Sequence, residues 1–188
     1  IGAGSAAVAL TNFLNRSTYM NIPNVAVEDI ETITRLVKMP INEDVAIISS
    51  NTSGKLLYTV LVFFDKSSVQ KIVDLMTEVK HEKEEELVDL SPLFKSLIKE
   101  VGSILALKYI EALNSFLKTD SFPSPPVLRI GTVKSIGENE LKDEQIGDTS
   151  VLFIECDVFT SEKTINVDLA IVPHQDTLSE FMKLLFKE

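Results

Sequence analysis

Three groups of residues have types and spacings that could do chemistry. Ser96, Glu100 and Ser103 stand at i, i+4 and i+7, which on an α-helix places a carboxylate and two hydroxyls on one face. Such a carboxylate can pair with a partner's cation, and the hydroxyls can donate and accept hydrogen bonds to an ordered water. Glu111 lies near the same meridian, with Leu107 between, while Leu93, Phe94, Leu97, Ile98, Val101, Ile104 and Leu105 cover the other side. On residue types alone, this stripe is also the ordinary solvated face of a helix packed on a core.

The second group, Gly2-Ala-Gly4-Ser-Ala-Ala7, imitates the G-x-G-x-x-A of a dinucleotide-binding turn, and Val25-Ala-Val27-Glu28 imitates the strand with its ribose-binding acid. That chemistry needs a strand directly before the glycines and further βαβ units after them. No such strand is in this chain, and the later strands read as hairpins, so the small residues are expected to let a helix pack closely. The third group is Cys156, the only cysteine, flanked by Val151, Phe153, Ile154 and Val158. No disulfide can form within the chain, and the setting is that of a buried strand thiol. His81, in a charged run, and His174, beside Pro173, have no partners that suggest a triad or a metal site.

These residues need a scaffold, and 188 residues at 45% hydrophobic are enough for one core. A net charge of −10 argues against a nucleic-acid binder, which needs a basic face to release counterions. Nothing resembles a signal peptide or an apolar run of membrane-spanning length, so the expected location is the cytoplasm.

Along the chain, periodicity predicts a helix to about Asn15, a turn at Asn21-Ile-Pro-Asn24, a short strand near Val25–Val27 and a short helix from Glu28 to about Lys38, closed by Pro40. Val45–Ser50 and Lys55–Phe64 read as a hairpin joined by Asn51-Thr-Ser-Gly54. A helix from about Ser67 to Glu78 follows, with Asp65 and Ser67 as candidate caps. Residues 78–89 read as a solvated connector. Ser91-Pro92 is an N-cap and first-turn pair for a helix to about Leu117, which would carry the Ser96–Ser103 stripe. A strand is expected around Val127–Val133, a polar excursion at Gly137–Gly147 and a second hairpin at Val151–Phe159 and Thr164–Val172. A last helix is expected from near Asp176, with Thr177 and Glu180 in a capping-box pattern.

The same order of elements thus occurs twice. At a shift of 103 residues Ile1 meets Ile104, Ala9 meets Ala112, Leu10 meets Leu113, Phe13 meets Phe116, and Pro23 meets Pro126. Ser53-Gly-Lys55 matches Ser161-Glu-Lys163 at a shift of 108. The expected fold is α+β: a single domain over residues 1–188 whose halves, about 1–88 and 89–188, are related by a pseudo-two-fold axis. Their strands would share one largely antiparallel sheet covered by long helices.

Ser96-x-x-x-Glu100-x-x-Ser103, with Pro126 falling 23 residues after Ser103, resembles a motif of the CheC–CheX–FliY family of chemotaxis phosphatases: [Asp/Ser]-x-x-x-Glu-x-x-Asn followed 23 residues later by Pro. KEVGSILALKYIEAL resembles that family's Glu-Ile-Gly-Asn-Ile helix, and IGAGSAAVAL resembles the stretch after its first Asn; the likeness is closest to CheC. Pro23 keeps the same spacing from the position before Ile1, so the first half's Glu and Asn are expected upstream of this chain.

The resemblance implies hydrolysis of the aspartyl-phosphate of a CheY-like receiver. In that chemistry an Asn amide orients the attacking water, a Glu pairs with a receiver lysine, and the receiver supplies Mg²⁺; the enzyme has no cofactor of its own. Glu100 and Ser103 would be the catalytic pair, with Ser96, Leu107, Pro126 and Pro23 supporting them. Ser103 occupies the Asn position, and its shorter hydroxyl leaves the second site weak or silent. Within the same resemblance, a binding module with degraded pairs would hold a CheD receptor deamidase or a motor-switch component. The remaining alternative is a nucleotide-binding oxidoreductase.

Overall fold

The computed structural model describes residues 2–29, 37, 39, 42–79, 86–135 and 150–186. Helix α1 (Gly2–Leu14) leads into strand β1 (Thr18–Asp29), followed by β2 (Asp44–Gly54), β3 (Tyr58–Phe64) and α2 (Lys66–Thr77). A single 3-10 turn (Leu87–Asp89) precedes α3 (Pro92–Leu117), and β4 (Ser121–Pro123), β5 (Val127–Thr132), β6 (Ser150–Thr160), β7 (Thr164–Pro173) and α4 (Gln175–Phe186) complete the chain.

The strands form one seven-stranded sheet in the order β1-β6-β7-β3-β2-β4, with β5 also on β2, and every pair is antiparallel. This order reads the same from either edge when β1 is exchanged with β4–β5, β2 with β6 and β3 with β7. The pseudo-two-fold axis therefore passes between β3 and β7. The antiparallel ladders exclude a dinucleotide-binding fold, which needs parallel strands around its glycine turn.

The two edges share a defect. β1 faces β6 from Thr18 opposite Thr160 to Asn21 opposite Asp157, then resumes with Asn24 opposite Glu155, one residue out of step. On the other edge Pro123 faces Thr52 and Val127 faces Ser49, again with one extra residue on the outer strand. Pro23 lies in the first break and Pro126 in the second. Proline has no N–H to give a ladder, and an edge strand with a bulge is where a sheet accepts it. Ser124 bridges the second break: its N–H donates to the Asn51 carbonyl at 2.7 Å, and its carbonyl accepts from the Ser50 hydroxyl at 3.0 Å.

Several expectations need correction. Asn21-Ile-Pro-Asn24 is not a turn but lies inside β1, which is much longer than Val25–Val27, and Glu28 belongs to that strand. The rest of the helix expected up to Lys38 and its closing Pro40, the loop Gly137–Gly147, His81 and the middle of the charged run (residues 80–85) fall outside the described residues, except for positions 37 and 39. Asn51–Gly54 is strand, because Thr52–Gly54 pairs with β4; the reversal is at Lys55–Leu57. Gly54 therefore corresponds in register to Thr160, and the shift-108 match of the hairpin turns does not hold. Asp65 alone caps α2, accepting from Ser68 N at 2.6 Å. Leu87, read as part of a solvated connector, is only 1% exposed. Thr177 does not cap α4; its hydroxyl donates to the Leu57 carbonyl at 2.8 Å and so ties the helix to the β2–β3 reversal.

Both faces of the sheet are covered, which is why β3 is buried at every position and reads as a continuous apolar run. Ala6, Leu10, Ile48, Phe64, Ile98, Leu105, Leu169 and Phe181 belong to the helix-side core. Val45, Ile47, Phe63, Phe153 and Val172 fill the opposite face.

Gly54 has a φ of +110°, and a Cβ there would stand 2.4 Å from the Asp120 carbonyl oxygen. Gly54→Ala is expected to destabilise the fold by about 1–3 kcal/mol, from backbone strain and displacement of β4. Urea denaturation measures this, and a loss below about 0.5 kcal/mol would contradict the assignment.

Candidate functional site

The site is carried by α3, a helix of 26 residues with defined ends. The Ser91 hydroxyl accepts from Phe94 N at 3.2 Å, and Pro92 occupies the first turn, where its missing N–H has no partner to lose. At the far end Lys118 takes a left-handed φ of +53°. Asn114 there clamps Ser121, donating to its carbonyl at 2.8 Å and accepting its N–H at 3.0 Å.

Ile98, Val101, Gly102, Leu105, Ala106, Tyr109, Ile110, Leu113 and Leu117 form the buried stripe of α3. Gly102 seats the helix on β2: a Cβ on it would stand 2.6 to 2.9 Å from three atoms of Ile48. The opposite meridian is therefore turned to solvent. Ser96, Glu100 and Leu107 are exposed and Ser103 is half-buried, in the line expected from their spacing. Leu93, expected on the apolar side, is 62% exposed.

The chemistry of this line is narrower than the residue types suggest. Ser96 donates its hydroxyl proton to the Pro92 carbonyl at 2.9 Å, and Ser103 donates to the Lys99 carbonyl at 2.5 Å. Both are i−4 back-bonds, which engage the only proton each hydroxyl has to give. Ser103 can still accept a hydrogen bond on its outward lone pair. Glu100 makes no ion pair or hydrogen bond among the described residues, whereas Glu111, farther along, is paired with Lys108 at 2.8 Å.

Pro23 and Pro126 do not join this line; they sit in the breaks of the two opposite edge strands. Gly2 and Gly4 do not form a phosphate cradle. A Cβ on Gly2 would stand 3.1 Å from the Ala112 Cβ, so that glycine serves the close crossing of α1 and α3. Gly102 is the position that residue spacing missed, although a lone glycine among good helix formers is a signal of close packing.

Cys156 is buried, as its apolar neighbours implied, and lies 3.2 Å from the Tyr109 hydroxyl. Burial, more than the opposing hydrogen bond from Tyr109, pushes its thiol from 9.0 up to about 12. The Tyr109 phenol is also raised, by burial first and by Cys156 second.

No protein-family model matches the chain. Solved structures do. FliY of Thermotoga maritima is 20% identical with a TM-score of 0.74, covering 100% of this chain and 91% of that one. The chain has a CheC/CheX/FliY-like fold. The middle domain of FliM from Vibrio alginolyticus shares it at 12% identity and a TM-score of 0.65, over 97% of this chain and 93% of that one. CheX in the CheX–CheY–BeF3–Mg complex of Borrelia burgdorferi shares it at 11% identity and a TM-score of 0.55, over 93% and 96%. At these identities the likeness is one of fold. Among the described residues no helix is long and apolar enough to cross a membrane.

The thiol makes a prediction about pH. An unfolded thiol ionises near 9.0, while Cys156 stays neutral in the fold up to about 12. Its contribution is complete below the unfolded value and is lost as pH rises between the two. Stability should fall above pH 9 by up to about 1.4 kcal/mol per pH unit from this group. Urea titrations from pH 8 to 10.5 should show a shallower decline in Cys156→Ala; equal slopes would contradict the burial argument.

Proposed function

We propose that the exposed line of α3 docks a phosphorylated CheY-like receiver, and that the protein promotes hydrolysis of the receiver's aspartyl-phosphate, closest in kind to CheC. The observation that carries this reading is Glu100: an exposed carboxylate, without a partner among the described residues, one turn from Ser103 on a helix clamped to the sheet. The likeness to a CheX solved together with CheY supports it.

In this reading Glu100 pairs with a lysine of the receiver, and the Mg²⁺ and the phosphoaspartate are the receiver's own. Water attacks phosphorus, the bond from phosphorus to the aspartyl oxygen breaks, and inorganic phosphate leaves with the carboxylate restored. The protein's part is positioning, which alone accounts for large rate effects when the geometry is held. Position 103 faces the water. With its proton given to Lys99, Ser103 accepts a hydrogen bond from that water but donates none, so it orients the nucleophile less well than an amide that does both.

That same hydroxyl favours a second reading, a binding module without turnover. The FliM middle domain has this fold, and a chain in the structure of a FliG–FliM complex from H. pylori is similar too, at 9% identity and a TM-score of 0.62, over 95% of this chain and 91% of that one. In that reading the surface holds a switch component or a CheD-type deamidase.

Single-turnover decay of a receiver phosphorylated with acetyl phosphate separates the two. Glu100→Ala should weaken docking and slow decay by about tenfold, each 1.4 kcal/mol or so being one such factor. Ser103→Ala removes the oxygen that accepts from the water and should slow decay by about two- to fivefold, whereas Ser103→Asn should raise it by about tenfold. Receiver binding with none of these rate changes would favour the binding module.

A further inference from the structure

We propose that Gly102 is the positioning residue of this site, setting how high α3 stands above the sheet and hence where Glu100 and Ser103 meet the receiver. The inference rests on the phosphatase reading of α3 and assigns a role to a residue outside the polar line. Gly102 is buried and next to Ser103 in sequence, about 100° from it around the helix and nearly opposite Glu100. A Cβ at this position would stand 2.6 Å from Ile48 Cγ1, 2.7 Å from Cδ1 and 2.9 Å from Cβ, all inside van der Waals contact.

Rotating the Ile48 side chain leaves its Cβ, fixed to the β2 backbone, in the contact. Ile48 is fully buried and lies in mid-strand, paired with Val62 of β3 on one side and Leu128 of β5 on the other. The helix is equally fixed at its ends, by the Ser91 cap and by the clamp of Asn114 on Ser121. Relief of the contact must therefore come from α3 moving away from β2 around position 102. Restoring ordinary carbon–carbon separations of about 3.5–4.0 Å requires a lift on the order of 1 Å. A shift of that size carries Glu100 and Ser103 with it, and misplacement by about 1 Å can cost about 100-fold in a reaction that depends on positioning.

The test is a four-variant comparison: Gly102→Ala, Ile48→Ala, the double variant and Glu100→Ala. Each is assayed for decay of the acetyl-phosphate-loaded receiver, for melting temperature, and by crystal structure. Gly102→Ala should slow decay by about 10- to 100-fold with α3 displaced from β2. Ile48→Ala should lower the melting temperature yet keep the rate within about threefold, because Gly102 remains. The double variant removes the two nearest atoms and leaves only the 2.9 Å contact with the Cβ, so it should turn over several-fold faster than Gly102→Ala while staying less stable than the parent. A merely structural glycine would not show that split. If Gly102→Ala does not fold, the double variant still decides through its rate relative to Ile48→Ala. A full rate in Gly102→Ala, an unmoved helix, or a double variant as slow as the single one overturns the proposal. An unchanged rate in Glu100→Ala instead overturns the phosphatase reading, and with it the catalytic meaning of the seat.

Discussion

Each outer strand is laid on the other half's hairpin. β1 pairs with β6 rather than with β2, β4 and β5 pair with β2 rather than with β6, and β3 joins β7 across the axis. The helices follow suit, since α3 of the second half sits over Ile48 of the first half's hairpin. Neither half can close its sheet or cover its hairpin alone. Only the completed, interleaved sheet presents a buried floor on which a long helix can be seated, and the position of every exposed residue of α3 follows from that floor.

Interleaving also explains where the chain tolerates irregularity. The two outer strands carry the prolines and the one-residue slips, because an unpaired edge loses little when a ladder hydrogen bond is missing. The inner strands carry no slip, the one proline among them, Pro173, stands at the last position of β7, and β3 and β7 are largely apolar and buried. The residues that depart from the pattern on α3 are then informative. A glycine in the middle of a long helix costs about 0.5–1 kcal/mol in propensity relative to alanine, and here it is offset by close contact with β2. An exposed acid one turn from an engaged hydroxyl adds nothing to the core.

Much of this was legible in the residues. The Phe13–Phe116 and Pro23–Pro126 matches announced a duplication, the β-rich runs marked both hairpins, and the i, i+4, i+7 spacing placed Ser96, Glu100 and Ser103 on one face. What escaped did so for physical reasons. The length of β1 was hidden because Pro23 reads as a turn unless the strand is known to lie at an edge. Asn51–Gly54 looked like a reversal because its pairing partner, β4, is 70 residues away in sequence. Thr177 had the spacing of a cap, but a hydroxyl bonds whatever backbone group lies nearest, here that of Leu57. The engagement of Ser103 with Lys99 is a rotamer choice that residue spacing does not encode.

Taken together, the seat of α3 and the line it exposes amount to a claim about where a partner touches. The measurement that addresses this most directly is an NMR titration of the isotope-labelled protein with an unlabelled receiver carrying magnesium and beryllium fluoride. Amide shift changes should concentrate at Ser96, Glu100, Ser103 and Leu107, with the edge strands around Val25 and Arg129 unaffected. Changes confined to those edges, or none on α3 at saturating receiver, would contradict that claim.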